Sequence, residues 1–317
     1  MITLALIGVG RFGERYIATI KKMQGIRLKY LCTSSLKKRK YYSSSYITLS
    51  HYNELLKYND IDGVIIATPA STHYKISAEL LKRGFNLLIE KPLTTLLIHA
   101  EKLYDLWKVS KPVVLVGHIY LFHPAFQKAH ALSKKIGKIY SIDFTSGNWG
   151  PFRDDASVLW DWSPHDVAMC QLITNEYPGK IEAWGQNFHK IKDRDEPNTV
   201  SINLSYKSGL NVSIHNTRIS PDKVRKVAII GETASILFDD TVKPKLKFFK
   251  GQGFRNINNL SSNATFPRIK GSMPLNNQIE EFARCIRTKK SPITDLIFGL
   301  EITKIVSYAE EAMNKRK

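Results

Sequence analysis

This chain of 317 residues reads as an α/β N-terminal domain on a doubly wound parallel sheet, followed by an α+β C-terminal domain with an open, mainly antiparallel sheet. Three observations predict that class. Over roughly the first 120 residues, short apolar runs alternate with amphipathic stretches, the pattern of parallel strands joined by helices. A glycine turn, Gly8-Val9-Gly10-Arg11-Phe12-Gly13, separates the first run from the first stretch. Beyond Ile181, strand-like runs follow one another directly, which favours antiparallel pairing.

In the first domain the apolar runs place strands at Thr3 to Ile7, Arg27 to Cys32, Gly63 to Ala67, Asn86 to Ile89 and Val113 to Val116. Helices fill the gaps at about Phe12 to Met23, His51 to Lys57, Thr72 to Lys82 and Thr95 to Lys108, with Gly25 and Gly84 as stop signals. The texture changes near Phe122. A helix over Pro124 to Lys134 ends before Gly137, and Lys138 to Trp149 reads as a long strand. After a helix expected to start at Ser163 come strand-like runs at Ile181 to His189, Thr199 to Tyr206, Leu210 to Asn216, Lys223 to Ile230, Ser235 to Phe238 and Leu246 to Phe249. Gly251 to Ser272, rich in Asn, Ser and Gly, reads as a mobile loop, and helices near Leu275 to Arg287 and Phe298 to Asn314 close the chain. The expected domains are 1–120 and 121–317.

A hydrophobic content of 43% excludes general disorder. No apolar run approaches the roughly 18 residues of a membrane helix, and Gly8 interrupts the apolar start before a signal-peptide core forms. A cytoplasmic protein without a membrane partner is the resulting expectation. Cys32, Cys170 and Cys285 stand far apart, so free thiols and no metal site are expected. The net charge of +19 is spread along the chain, with runs at Lys37-Lys38-Arg39-Lys40 and Lys315-Arg316-Lys317 outside any nucleic-acid-binding motif. No nucleic-acid partner is expected, and an anionic substrate is compatible with the charge.

The glycine turn has a definite chemistry. Backbone amides at a helix start point outward unpaired and bind anions. Gly8 permits the turn, Gly10 lets a pyrophosphate approach the backbone, and Gly13 lets helix and strand pack closely, as in a dinucleotide site that also takes in Arg11 and Phe12. At the end of the second strand, NAD-preferring sites carry an acidic residue for the ribose 2′-hydroxyl. Here Cys32-Thr33-Ser34-Ser35 stand there instead, with Lys37, Lys38 and Arg39 just behind, which suits a 2′-phosphate and favours NADP over NAD. The plain alternative is that the basic run is only a solvated surface.

Two further segments supply ionisable groups. In Asp161-Trp162-Ser163-Pro164-His165, Ser163 is expected to cap a helix with Pro164 at its first position and Asp166 completing a capping box. His165 would then lie in the first turn, kept neutral by the helix dipole and oriented by Asp161 as a proton acceptor. The alternative is a capping segment with an incidental His. Lys91, in Glu90-Lys91-Pro92, follows a strand at its C-terminal end, where open parallel sheets place ligands. A base and a cation are what hydride transfer from an alcohol needs: one takes the hydroxyl proton, the other stabilises the alkoxide.

With these motifs, Ala67-Thr68-Pro69 and His73, and the closing Phe282 to Ile293 stretch with Pro292-Ile293-Thr294-Asp295, the chain resembles the Gfo/Idh/MocA family over nearly its whole length. The resemblance implies an NAD(P)-dependent dehydrogenase or reductase acting on a sugar, cyclitol or nucleotide-sugar alcohol, with Lys91, Asp161 and His165 in the active site. It places Ala67, Thr68, Pro69, His73 and Glu90 with the cofactor. Gly117-His118 to Phe122-His123-Pro124-Ala125 and Asn148-Trp149-Gly150-Pro151-Phe152-Arg153 are similar to a sugar and nucleotide-sugar branch, with His118, Asn148 and Arg153 as substrate contacts. Leu121 replaces an Arg common in the family. Trp160 and Trp162 read as core or as sugar-stacking rings. The resemblance also implies a homodimer or homotetramer. Two alternatives stay open: an enzyme that retains its cofactor through a transient oxidation, and a cofactor-binding regulator without turnover.

Overall fold

The computed structural model describes residues 1–150, 152, 156–188, 197–251 and 264–315. The chain forms two compact units. One comprises Met1–Ile119 with Met273–Thr303, and the other Tyr120–Ser272 with Lys304–Lys317. This grouping differs from a single cut after residue 120, because a late segment returns to the first unit.

The first unit is built on a six-stranded parallel sheet in the order β3-β2-β1-β4-β5-β6. Its strands are β1 (Ile2–Ile7), β2 (Ile26–Cys32), β3 (Ile47–Leu49), β4 (Gly63–Ile66), β5 (Leu87–Glu90) and β6 (Val114–Gly117). They are short, nearly all apolar and buried on both faces, as a sheet covered by helices on each side requires. The helices are α1 (Arg11–Ile20), α2 (Leu36–Tyr42), α3 (His73–Leu81) and α4 (Leu97–Ser110). The edge strand β3 and helix α2 were not foreseen. Both are short, and α2 buries no residue, so hydrophobic periodicity carried no signal for it. The segment expected as a helix over His51 to Lys57 is a 3₁₀ turn, Tyr52–Lys57, opened by a capping box between His51 and Glu54.

The second unit carries an eight-stranded sheet, β14-β13-β12-β11-β7-β10-β9-β8, antiparallel except where β10 pairs parallel with β7. Its strands are β7 (Ile139–Trp149), β8 (Lys180–Gln186), β9 (Thr199–Ser205), β10 (Asn211–Thr217), β11 (Ile219–Gly231), β12 (Ala234–Asp239), β13 (Leu246–Lys250) and β14 (Ala264–Thr265). Helix α5 (Pro124–Ser133) packs on β12 and β13, and α6 (Val158–Thr174) on β7, β9 and β10. Alternation is clean on β10, where Val212 and Ile214 face inward while Ser213 and His215 are exposed. Arg153, His189 and most of the expected Gly251 to Ser272 loop lie outside the described residues.

One expectation is corrected here. Helix α6 begins at Val158, with Ser157 as the N-cap accepting from the Trp160 amide, so Pro164 lies inside the helix and His165 about two turns from its start. Ser163 is no cap and Asp166 closes no capping box. The dipole effect on His165 is lost with them, since it fades beyond the first turn.

Helices α7 (Pro274–Thr288) and α8 (Leu296–Asn314) finish the chain. Phe282 and Ile286 of α7 pack on β4 so closely that a Cβ on Gly63 would stand 2.9 Å from their side chains. The first sheet is also laced by Asn86, whose Nδ2 donates to the Asp62 carbonyl at 2.8 Å and whose Oδ1 accepts from the Val113 amide at 2.9 Å. Replacing Asn86 by Ala strands both backbone groups, at a cost of about 1–3 kcal/mol. A fall in the urea midpoint with an unchanged m-value is the expected result.

Candidate active site

The first unit assembles its candidate residues along the C-terminal edge of the parallel sheet. The strand order reverses between β1 and β4, the place where open α/β sheets hold ligands. Gly8 leaves β1 with φ +94°, and a Cβ there would lie 2.6 Å from the Ala67 carbonyl oxygen. A Cβ on Gly13 would lie 2.0 Å from the Gly8 carbonyl oxygen, so α1 rests directly on the turn. A Cβ on Gly10 would meet nothing within 4 Å, and Gly10 caps α1 without any side-chain bond. Among the described residues, no side chain caps the start of α1. Phe12 packs edge-on against Tyr16, with Arg15 over its ring, and Arg11 is exposed.

At the end of β2 the basic run divides its work. Ser34 and Lys37 are exposed, whereas Arg39 donates to the carbonyls of Thr33 and Ser34 at 2.7 and 2.9 Å. Lys38 Nζ reaches back to the Val9 carbonyl at 2.5 Å and pairs with Glu14 at 2.7 Å. Lys38 is thus the cation of the run that lies on the glycine turn, and Lys37 points into solvent.

Beyond β4, the Ala67-Thr68-Pro69 segment is bound to the Lys91-Pro92 segment through His73. Its Nδ1 lies 2.8 Å from the Pro92 carbonyl oxygen and its Nε2 3.0 Å from that of Thr68. Burial lowers its pKa, so the neutral ring donates to one carbonyl at a time. Its ring nitrogens face protein carbonyls, which makes it a brace between the two loops.

Glu90 ends β5 with its Oε1 accepting from the Tyr16 hydroxyl at 2.6 Å, and Gln278 Nε2 donates to the same hydroxyl oxygen at 2.8 Å. Burial pushes the Glu90 carboxyl up to about 7, against the opposing pull of the Tyr16 hydrogen bond and the Lys91 charge. Half-buried Lys91 follows directly. His118, just past β6, is buried with neither ring nitrogen bonded among the described residues, edge-on to Phe298. Burial and the nearby Lys91 charge lower its pKa to about 3, so it is a neutral imidazole.

In the second unit, α6 carries Asp161, Trp162, His165 and Asp166. Asp161 Oδ2 accepts from Nη2 of the buried Arg218 at 3.3 Å, and the same nitrogen holds the Ala156 carbonyl at 2.7 Å. Asp166 is fully buried and accepts from Ser146 Oγ at 2.9 Å, Asn216 Nδ2 at 2.6 Å and Arg225 Nη1 at 3.1 Å. Those three donors form one cross-strand row, since Ser146 of β7 is the register partner of both Asn216 on β10 and Arg225 on β11. Asn216 Oδ1 also accepts from Ser163 Oγ at 2.6 Å. The helix is thereby pinned to the sheet on each side of His165, whose ring stands edge-on to Tyr120 at 5.1 Å. Half-buried Asn148 lies near the end of β7, and Leu121 is buried as core.

Sequence reasoning missed Ser146, Asn216, Arg218 and Arg225. For three of them a signal existed. Val212-Ile214-Asn216, Ile142-Phe144-Ser146 and Arg225-Val227-Ile229 each continue an inward-facing apolar alternation with one polar residue, and inward polar residues need a buried partner.

A parallel sheet with an uncapped glycine turn at its switch point, joined to an open sheet bearing a His-containing helix, defines a nucleotide-dependent oxidoreductase. Residues 2–118 match the oxidoreductase family with an NAD-binding Rossmann fold, and residues 126–237 match the GFO/IDH/MocA C-terminal domain. The chain belongs to this Gfo/Idh/MocA family. A proposed oxidoreductase from Magnetospirillum magnetotacticum MS-1 has a crystal structure that superimposes with a TM-score of 0.87 at 30% identity, over 96% of this chain and 98% of that one. The scyllo-inositol 2-dehydrogenase (NAD(+)) of Bacillus subtilis is 24% identical over 95% of this chain and 92% of that protein. UDP-N-acetylglucosamine 3-dehydrogenase GnnA from Acidithiobacillus ferrooxidans shares the fold, with a TM-score of 0.85 at 19% identity over 99% and 98% of the two chains. Among the described residues, no helix is long and apolar enough to cross a membrane.

The Glu90 carboxyl binds its proton more tightly in the folded chain than at its ordinary value of 4.5. Its contribution to stability is therefore present below pH 4.5 and lost as the pH rises to about 7, a change on the order of a few kcal/mol. Glu90→Gln should flatten the pH dependence of the urea midpoint across that window. Tyr16→Phe removes a bond that holds the value down, so it should extend the loss to higher pH.

Proposed function

We propose that this protein is an NADP-preferring dehydrogenase or reductase that moves hydride between nicotinamide and a CH–OH carbon of a sugar, cyclitol or nucleotide sugar. The observation that carries the reading is that Lys91 leaves β5 at the same C-terminal sheet edge where the uncapped glycine turn leaves β1. A dinucleotide fits this edge. Gly10 leaves room for a pyrophosphate, the start of α1 carries no side-chain cap among the described residues, and no acidic residue stands at the end of β2 to repel a 2′-phosphate. Gly8, Arg11, Phe12, Gly13, Thr33, Ser34, Ala67, Thr68 and Pro69 line the cofactor's course, and His73 fixes two of its loops. Lys38, supported by Arg39 and Lys37, is the cation assigned to the 2′-phosphate.

Bound nicotinamide supplies the hydride acceptor. The chain supplies the proton and charge chemistry: His165 takes the hydroxyl proton, Asp161 orients and balances the imidazole, and the Lys91 ammonium stabilises the oxygen as it becomes an alkoxide. In reduction the roles reverse. His118 and Asn148 are assigned to substrate oxygens, as is Arg153. The net charge of +19 and the nucleotide-sugar and inositol dehydrogenases among its relatives support a polyhydroxylated substrate, with an anionic nucleotide sugar as the first choice. The exposed outer sheet face, including Asp143, Asn203, Ser213 and His215, is assigned to a second copy in a homodimer or homotetramer.

Titration of cofactor-stripped protein, followed by nicotinamide fluorescence, should give tighter binding of NADPH than of NADH. Lys38→Met should erase about tenfold of that difference, the size of one charge-assisted hydrogen bond. Equal affinities in the wild type would overturn the NADP preference, and no binding of either cofactor, as expected of Gly10→Trp, would overturn the whole reading. With UDP-N-acetylglucosamine and myo-inositol as probes, Lys91→Ala and His165→Asn should each lower kcat by about 10²–10⁴, while His165→Asn keeps its NADPH affinity.

A further inference from the structure

The second unit holds a linked series of four side chains. The Arg225 guanidinium carbon lies 4.6 Å from the centroid of the Tyr120 ring and 5.1 Å from that of Trp162. The Tyr120 ring meets the His165 ring edge-on, with centroids 5.1 Å apart and planes at 80°. Trp162 and His165 are three residues apart on α6, so they are neighbours along one helix face. Every link restricts the next. Arg225 cannot swing away, because Nη1 is bonded to buried Asp166 at 3.1 Å and the residue is only 7% exposed. A planar guanidinium held in this way keeps both flanking rings in fixed orientations.

From these contacts we infer that Tyr120 and Arg225 are positioning residues for His165: the guanidinium holds Tyr120, and the Tyr120 ring, together with Asp161, restrains the plane of the imidazole. The inference rests on the reading of His165 as the proton acceptor and goes beyond it. An imidazole has a broad, nearly two-fold freedom about χ2, and proton transfer needs one nitrogen aimed at one hydroxyl. The pins on either side, Ser163 and Asp166, act on the helix backbone. Edge-on contact with the held Tyr120 ring adds a direct restraint on the imidazole plane. The Tyr120 hydroxyl has no part in this role, because the contact is made by the ring.

The test uses the full chain labelled with [¹³C,¹⁵N]-histidine, the His165 Cε1–H resonance being the one lost in His165→Asn. Tyr120→Leu and Arg225→Lys should move or broaden that resonance, and Tyr120→Phe, which keeps the ring, should restore its wild-type position. Arg225→Lys keeps a charge opposite Asp166 but loses the planar stack. With UDP-N-acetylglucosamine or myo-inositol as the probe, Tyr120→Leu should lower kcat about 10–100-fold, a misalignment-sized loss, with KM within about threefold of wild type. A His165 resonance in Tyr120→Leu superimposable on the wild type would overturn the inference, as would an unchanged kcat. Should His165→Asn turn over at the wild-type rate while Tyr120→Leu still displaces the His165 resonance, the base assignment falls and the clamp remains.

Discussion

The second unit depends on one buried carboxylate. Asp166 gains no water for its charge, so the fold must supply donors, and it does so from β7, β10 and β11 at once. Burial raises the carboxyl's pKa, while Arg225 and the hydrogen bonds from Asn216 and Ser146 oppose that rise. A carboxylate so bound cannot tolerate a shift of α6 along the sheet, because any slide leaves Arg225 or Asp166 unpaired in an apolar interior. The neighbouring His165 inherits that fixed position. The arrangement also explains how a Pro can sit at the seventh position of α6, since the helix is held by its side chains as well as by its own ladder.

The first unit solves a different problem by the same means. Its sheet edge must leave amides unpaired for a ligand, so the surrounding loops need other ties. His73 joins the loop after β4 to the loop after β5, and the Gln278, Tyr16 and Glu90 series joins α7, α1 and the end of β5. The last partner of that series is an amide, so it anchors Glu90 without offering a proton route onward. Lys91 emerges beside this anchored, near-neutral acid.

Much of this was legible in the sequence, for identifiable reasons. The glycine turn, five of the six strands of the first sheet and the run of strands in the second follow from local periodicity and from steric needs that only Gly meets. The start of α6 was misread because Ser163-Pro164 satisfies every local rule for a helix N-terminus, whereas Ser157 earlier in the chain does the capping. Arg218 and Arg225 were passed over because their partners lie 57 and 59 residues away, so only the tertiary fold brings them together. Lys38 was read as one of four equivalent basic residues until the short helix α2 set it apart.

The return of residues 273–303 to the first unit has a bearing on how the chain is made. Leu296 belongs to that unit's core, the Thr294 carbonyl accepts from the Val116 amide, and Gln278 completes the bonding of Tyr16. A ribosome releases the first strand early, but these partners emerge only after the entire second sheet has been synthesised. The nucleotide-binding half, although begun first, therefore cannot be finished until the second sheet has been made, and the faces of β4 and α1 must wait in the nascent chain for a segment more than two hundred residues downstream.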